Sequence, residues 1–161
     1  MNATLEPVTQ PVTKVAYAPF GPAAEAFQRS LTCTLAITDV VARLYTAINM
    51  AGLWVLHEID PEMLLRRGGY AIGAARQILF FHPRLMARLL AADPSALLEA
   101  PLKFAILALP DGRVAVRWTD PVAAFGRYGS PALAVLGQEL AAVCDDVVSI
   151  GLGDRGRSAG S

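Results

Sequence analysis

Apolar and polar positions alternate along residues 31–38, with Leu31, Cys33, Leu35 and Ile37 on one side and threonines mainly on the other. That period of two predicts a β-strand. The period then lengthens. Asp39 stands where a helix N-cap is expected, and Val40 or Val41, Leu44, Ala47 and Ile48 recur at helical spacing up to Met50, with Gly52 as the stop. Residues 53–60 alternate again, placing Leu53, Val55, His57 and Ile59 on one face and Trp54, Leu56, Glu58 and Asp60 on the other. Asp60 followed by Pro61 reads as a cap and a first helical position, so a short helix is predicted over 61–67, closed by Gly68-Gly69. A third strand covers 76–82. Pro83 then opens a helix with Leu85, Met86, Leu89 and Leu90 on one side, and Asp93-Pro94 starts a short helical turn leading to Pro101.

Two apolar-rich runs, 102–109 and 113–118, flank Pro110-Asp111-Gly112. Proline presets φ, aspartate bonds its own turn and glycine accepts positive φ, so the segment predicts an antiparallel hairpin. Asp120 caps a further short helix, beginning at Pro121 and running to Gly129. Ser130-Pro131 then starts the longest helix, with Leu133, Leu136, Leu140, Val143 or Cys144, Val147 and Ile150 at helical spacing, and 151–153 ends it. The order is strand, helix, strand, short helix, strand, helix, hairpin, long helix. It predicts an α+β fold: a single antiparallel sheet of about five strands, packed by the first helix and the long C-terminal helix. Residues 1–28, with four prolines and no periodicity, read as an extended, mobile arm. Residues 29–151 read as a single α+β domain, and 152–161 as a disordered tail.

Composition narrows the classes. The 161 residues suit one domain with a real core. Hydrophobic residues make up 54% and mean hydropathy is +0.42, yet charges and prolines interrupt every run before the roughly 18 apolar residues a membrane span needs. The surplus predicts a filled core plus a patch covered by a second subunit. Fourteen basic residues balance fourteen acidic ones, so no net field draws nucleic acid. The N-terminus lacks a basic region followed by an apolar stretch, which predicts a cytoplasmic protein. Cys33 and Cys144 lie too far apart for a metal-knuckle spacing, and Cys144 precedes Asp145-Asp146 rather than the basic neighbours that activate a thiol.

Five short segments carry a family resemblance: Ile59-Asp60; Phe81-His82-Pro83 with Leu85-Met86; Ala100-Pro101-Leu102-Lys103; Asp111-Gly112; and Thr119-Asp120-Pro121. In order and spacing they resemble the bacterial family catalogued as domain of unknown function 302, over roughly residues 31–150. The resemblance implies a TATA-binding-protein-like α+β fold and homodimers, and brings no catalytic mechanism. Pro61 stands where many members have histidine after Ile-Asp, Arg127-Tyr128-Gly129 replaces a frequent Arg-His-Gly, and Phe81-His82 replaces Gly-Asn. The chain is therefore identified as a divergent member.

Candidate chemistry rests on six residues: His57, Asp60, His82, Lys103, Arg117 and Asp120. The first reading is a non-catalytic homodimer that binds a small ligand or a partner. The second is a haem or transition-metal site on His82, with His57 a weaker candidate, suggested by nearby Met50, Met63, Met86 and Cys33. Antiparallel pairing of the two strands would put Trp54, rather than His57, beside His82. A buried, satisfied His57 and a capping His82 are the plainer alternatives. The third reading is an enzyme using Asp60, Asp120 and Lys103, since paired carboxylates can divide acid and base work; helix capping explains both aspartates more simply. Lys103 and Arg117, if they share a sheet face near Arg76, would form a basic spot for an anion.

Overall fold

The computed structural model describes residues 11–153. In chain order the elements are β1 (Thr13–Lys14), a 3₁₀ turn (Pro22–Ala26), β2 (Gln28–Cys33), α1 (Ile37–Met50) and β3 (Trp54–Ile59). Next come α2 (Pro61–Arg67), β4 (Tyr70–Ala71), β5 (Ala75–Phe81), α3 (Pro83–Ala92) and a second 3₁₀ turn (Pro94–Glu99). The chain closes with β6 (Leu102–Ala108), β7 (Val114–Thr119), α4 (Pro121–Gly126) and α5 (Pro131–Leu152). Five strands form one antiparallel sheet in the order β2-β7-β6-β5-β3. No helix among the described residues is long and apolar enough to cross a membrane.

The hairpin forms for the reason its residues suggest. Gly112 takes a φ of 85°, which a Cβ would penalise. Leu109 N donates to Arg113 O at 2.8 Å, and Asp111 Oδ1 accepts from Arg113 N at 3.0 Å. Strand alternation then sorts the side chains. Ile78, Phe80, Phe104, Ile106, Val114, Val116 and Trp118 are buried on the face roofed by α1 and α5, meeting Val40, Leu44, Ile48, Leu133, Leu136, Leu140 and Val147. Phe80 and Phe104 stack at 4.6 Å, and Trp118 stands edge-on to Phe104 at 5.6 Å. Each such side chain contributes about 1.5–3 kcal/mol by leaving water, so this inner face holds the molecule together. Ser30, Arg117, Ala105, Gln77 and Ile59 register across the outer face.

Several expectations change. β2 stops at Cys33 rather than running to residue 38, and Ala36 rather than Asp39 occupies the N-cap of α1. Leu35 and Ile37 continue the alternation on paper, but the chain bends at residues 34–35 and both side chains pack onto the core at the start of α1. Asp39 lies in the first helical turn, where its charge still favours the dipole. The long helix does not end at Gly151. That glycine is buried inside α5, where a Cβ would stand 3.3 Å from Arg43 O of α1, so it marks a close helix approach rather than a stop. The pair β1–β4 was not anticipated; it is parallel, two residues long and made by residues 13–14 with 70–71. Beyond it, Tyr17 donates to Gly73 O at 2.8 Å and the Phe20 ring covers the Arg117 guanidinium at 4.2 Å. Residues 1–10 and 154–161, parts of the predicted arm and tail, lie outside the described residues.

The strand directions give the sheet two ends. β3 and β6 run toward the hairpin turn, and β5 and β7 run away from it. Asp60 therefore follows a strand at the turn end, whereas His82, Lys103 and Asp120 lie at the far end.

Candidate functional site

Asp60 is the N-cap of α2. Its Oδ1 accepts from Met63 N at 3.0 Å and from Arg76 Nη1 at 3.0 Å. Arg76 also faces Glu58 at 3.6 Å and Glu62 at 3.7 Å, so a guanidinium fills the space among three carboxylates. Glu58 in turn accepts from Tyr45 Oη at 2.6 Å. The tyrosine pKa is pushed up to about 12, first by burial and then by that hydrogen bond. This lattice ties α1, β3, α2 and β5 together.

Asp120 is the N-cap of α4, accepting from Val122 N at 3.0 Å and from Arg29 Nε at 3.3 Å. Asp60 and Asp120 thus begin different helices at opposite ends of the sheet. They cannot act on one atom, which removes the geometric basis for the Asp60/Asp120/Lys103 enzyme.

His82 caps α3: Nδ1 accepts from Arg84 N at 3.1 Å, leaving the proton on Nε2. The ring stands edge-on to Trp54 at 5.2 Å, and Trp54 registers with Phe81. A metal on His82 would have to displace either the cap or that proton, and no group of three His, Cys, Asp or Glu side chains among the described residues could complete a site. Among the described residues His82 therefore has no set of companion His, Cys, Asp or Glu ligands for a transition metal, and its helix cap occupies Nδ1.

His57 departs most from expectation. A bulge between Val55 and His57 leaves Leu56 unpaired, so His57 registers with Leu79 and Val55 with Phe80. His57 therefore lies on the face opposite Val55 and is exposed rather than buried. The same irregularity turns Glu58 inward to Tyr45.

Lys103 and Arg117 do share the outer face, since Ala105 registers with Arg117 and Leu79 with Lys103. Arg76 registers with Ile106 on the inner face and joins the acids, so the three do not form one basic spot. Arg117 is occupied by Gln28 Oε1 at 3.0 Å and by the Phe20 ring. Lys103 has no carboxylate partner among the described residues.

Lys103 belongs to a different feature. The β6–β7 ladder stops at Ala105↔Arg117, although β6 begins at Leu102 and β7 continues to Thr119. The bonds Ala108 N to Ala74 O and Asp120 N to Phe27 O fix the alternation on the outer sides of the two strands. By that alternation the backbone groups of Lys103 and Thr119 face one another's strand. Lys103↔Thr119 would be the next pair, and it is missing from the ladder. A cleft of about 190 Å³ opens there, with Phe80, Trp118, Ala124 and Cys144 deep in it and Leu98, Glu99, Pro101, Lys103 and Thr119 around it.

Glu99 is anchored in this cleft by Arg127 Nη2 at 2.7 Å and Tyr128 Oη at 2.8 Å, both donating to Oε1. Donation to that carboxylate raises the Tyr128 pKa. Burial pushes the Cys144 thiol up to about 12, with Asp145 and Asp120 adding to the shift, so it stays protonated and is no nucleophile. Sequence reasoning missed Glu99, Trp118 and Phe80 as neighbours. The usable signal was that Pro101-Leu102-Lys103 and Thr119-Asp120-Pro121, far apart in the chain, form the two sides of one opening.

The sheet, its two-helix roof and the cleft between its central strands define an α+β domain. The chain belongs to the family described as "Domain of unknown function DUF302", which matches residues 29–149. It is similar in fold to an uncharacterized conserved DUF302 protein from Bacillus stearothermophilus, whose crystal structure superimposes with a TM-score of 0.72 at 16% identity, covering 78% of this chain and 98% of that one. No curated protein matches the sequence.

Proposed function

We propose that the protein is a non-catalytic, homodimeric binding domain that takes a small organic molecule into the cleft between β6 and β7. The observation that carries this reading is the missing Lys103↔Thr119 pair above an aromatic floor. A volume of about 190 Å³ exceeds the roughly 150 Å³ of an apolar cavity known to accept benzene, so the cleft suits an occupant of about one ring or one branched alkyl group. The Glu99 carboxylate, held by Arg127 and Tyr128, gives such a molecule a polar anchor at the rim. A binding role is also favoured by the protonated Cys144 thiol and by the separation of Asp60 from Asp120. Dimerisation is supported by exposed apolar side chains on β3 and the helix after it (Trp54, Leu56, Met63 and Leu64), a set that a second subunit would cover.

Native mass spectrometry of the purified full chain tests both parts. The expected spectrum is a dimer carrying a small adduct, and Ala124→Leu, which fills the cleft, loses the adduct while keeping the dimer. A bare monomer, or an adduct indifferent to that substitution, overturns the reading.

A further inference from the structure

We propose that the occupant of this cleft is a small uncharged carboxamide with a hydrocarbon substituent, its carbonyl on the Thr119 N–H and its N–H on the Lys103 carbonyl. The inference rests on the cleft being the binding site and specifies the functional group it selects.

The first observation is what the strands turn toward the gap. Lys103 registers with Leu79 and Thr119 with Gln28, so both side chains lie on the outer sheet face with Arg117. What the two residues offer the gap between β6 and β7 is therefore main chain. Counting outward from Ala105↔Arg117, the first ladder bond to be lost runs from Thr119 N to Lys103 O. No loop backbone and no side chain among the described residues takes up either group.

The second is the shape of the group that fits. A trans amide is planar and carries its N–H and C=O on opposite sides. Interposed between two strands, it accepts from one and donates to the other, extending the broken bond by one link. An ester accepts but has no proton for Lys103 O; an amine donates but leaves the Thr119 N–H unpaired. The third is the surroundings, which favour a neutral group. Phe80, Trp118, Ala124 and Cys144 form a buried floor that suits a hydrocarbon substituent and over which an ion would lose its water. Glu99 at the rim accepts rather than donates, and the charges of Asp120 and Asp145 reach Cys144 in the floor, so a carboxylate is turned away.

The test is an NMR titration of the isotope-labelled full chain with three probes: N-methylisovaleramide, methyl isovalerate (the same skeleton with oxygen in place of N–H) and isovalerate. The amide is expected to bind at least about fivefold more tightly than either, the worth of one net hydrogen bond, with the Thr119 amide signal among the most shifted. Thr119→Pro, which deletes that N–H and no ladder bond, should cut the amide's affinity about fivefold. Should that variant not fold, the probe order and the Thr119 signal of the wild-type chain decide alone. Equal binding of amide and ester, tighter binding of isovalerate, an unmoved Thr119 signal, or full affinity in a folded Thr119→Pro overturns the carboxamide. If no probe binds while the purified protein carries an adduct that Ala124→Leu removes, the carboxamide falls and the cleft reading stands. An adduct or a probe-induced shift indifferent to Ala124→Leu removes both, as does a bare chain that binds no probe.

Discussion

Gly137 of α5 lies directly against the carbonyl of Pro121 at the start of α4: a β-carbon on Gly137 would stand 2.8 Å from that oxygen and 3.1 Å from Phe125 Cβ. Alanine is the better helix former by about 1 kcal/mol, yet here the contact is with backbone, which cannot swing aside. Gly137→Ala is expected to destabilise the fold by about 1–3 kcal/mol. Gly126→Ala, with no atom within 4 Å of its would-be Cβ, should be neutral or mildly stabilising. Urea unfolding of the two variants checks the contrast.

Tyr45 sets an alkaline limit. Its folded pKa of about 12 lies above the usual 10.0, raised by burial first and by Glu58 second. Between those values the unfolded chain gives up the phenolic proton and the folded one keeps it. Stability from this group is therefore fully present below pH 10 and declines as pH rises toward 12. Tyr45→Phe should flatten that part of the stability profile, measured by denaturant midpoints across the alkaline range. A profile unchanged by the substitution would remove Tyr45 as the cause.

The two cysteines should differ sharply in reactivity. Cys144 is 1% exposed and its thiol pKa is about 12, while Cys33 is only partly buried. Iodoacetamide at neutral pH is expected to modify Cys33 in the native protein and Cys144 only on unfolding. Peptide mass mapping after a time course reads both sites, and early loss of Cys144 would contradict the geometry.

Asp60 is predicted to act through structure. Asp60→Ala removes the cap of α2 and a partner of Arg76, and should cost about 0.5–2 kcal/mol. Asp60→Asn should cost less, since the amide oxygen can still accept from Met63 N. Thermal melts of the two variants order them.

Much of the architecture is legible from periodicity because the elements bury one face each. The caps at Asp60, Asp120 and Ser130, the proline starts and the 110–112 turn are local chemistry, and the structure has all of them. What failed depended on contacts distant in sequence. Nothing in the run around residues 31–38 says that Leu35 and Ile37 are more stable as helix-entry anchors than as strand residues. Gly151 looks like a stop unless Arg43 O is known to pass 3.3 Å from where a Cβ on it would stand. The bulge that exposes His57 appears only once β5 supplies the register. The cleft was illegible for the same reason: Glu99 carries no motif, and its partners Arg127 and Tyr128 come 28 and 29 residues later.

The unpaired residue in β3 leaves a mark that can be followed through evolution. Excising Leu56 alone would make the strand one residue shorter and its pairing continuous, while Val55 and Glu58 kept the sides they occupy now. Length variation at this point is thus silent for the acid–guanidinium lattice downstream, and related chains one residue shorter here should still place a carboxylate under Tyr45.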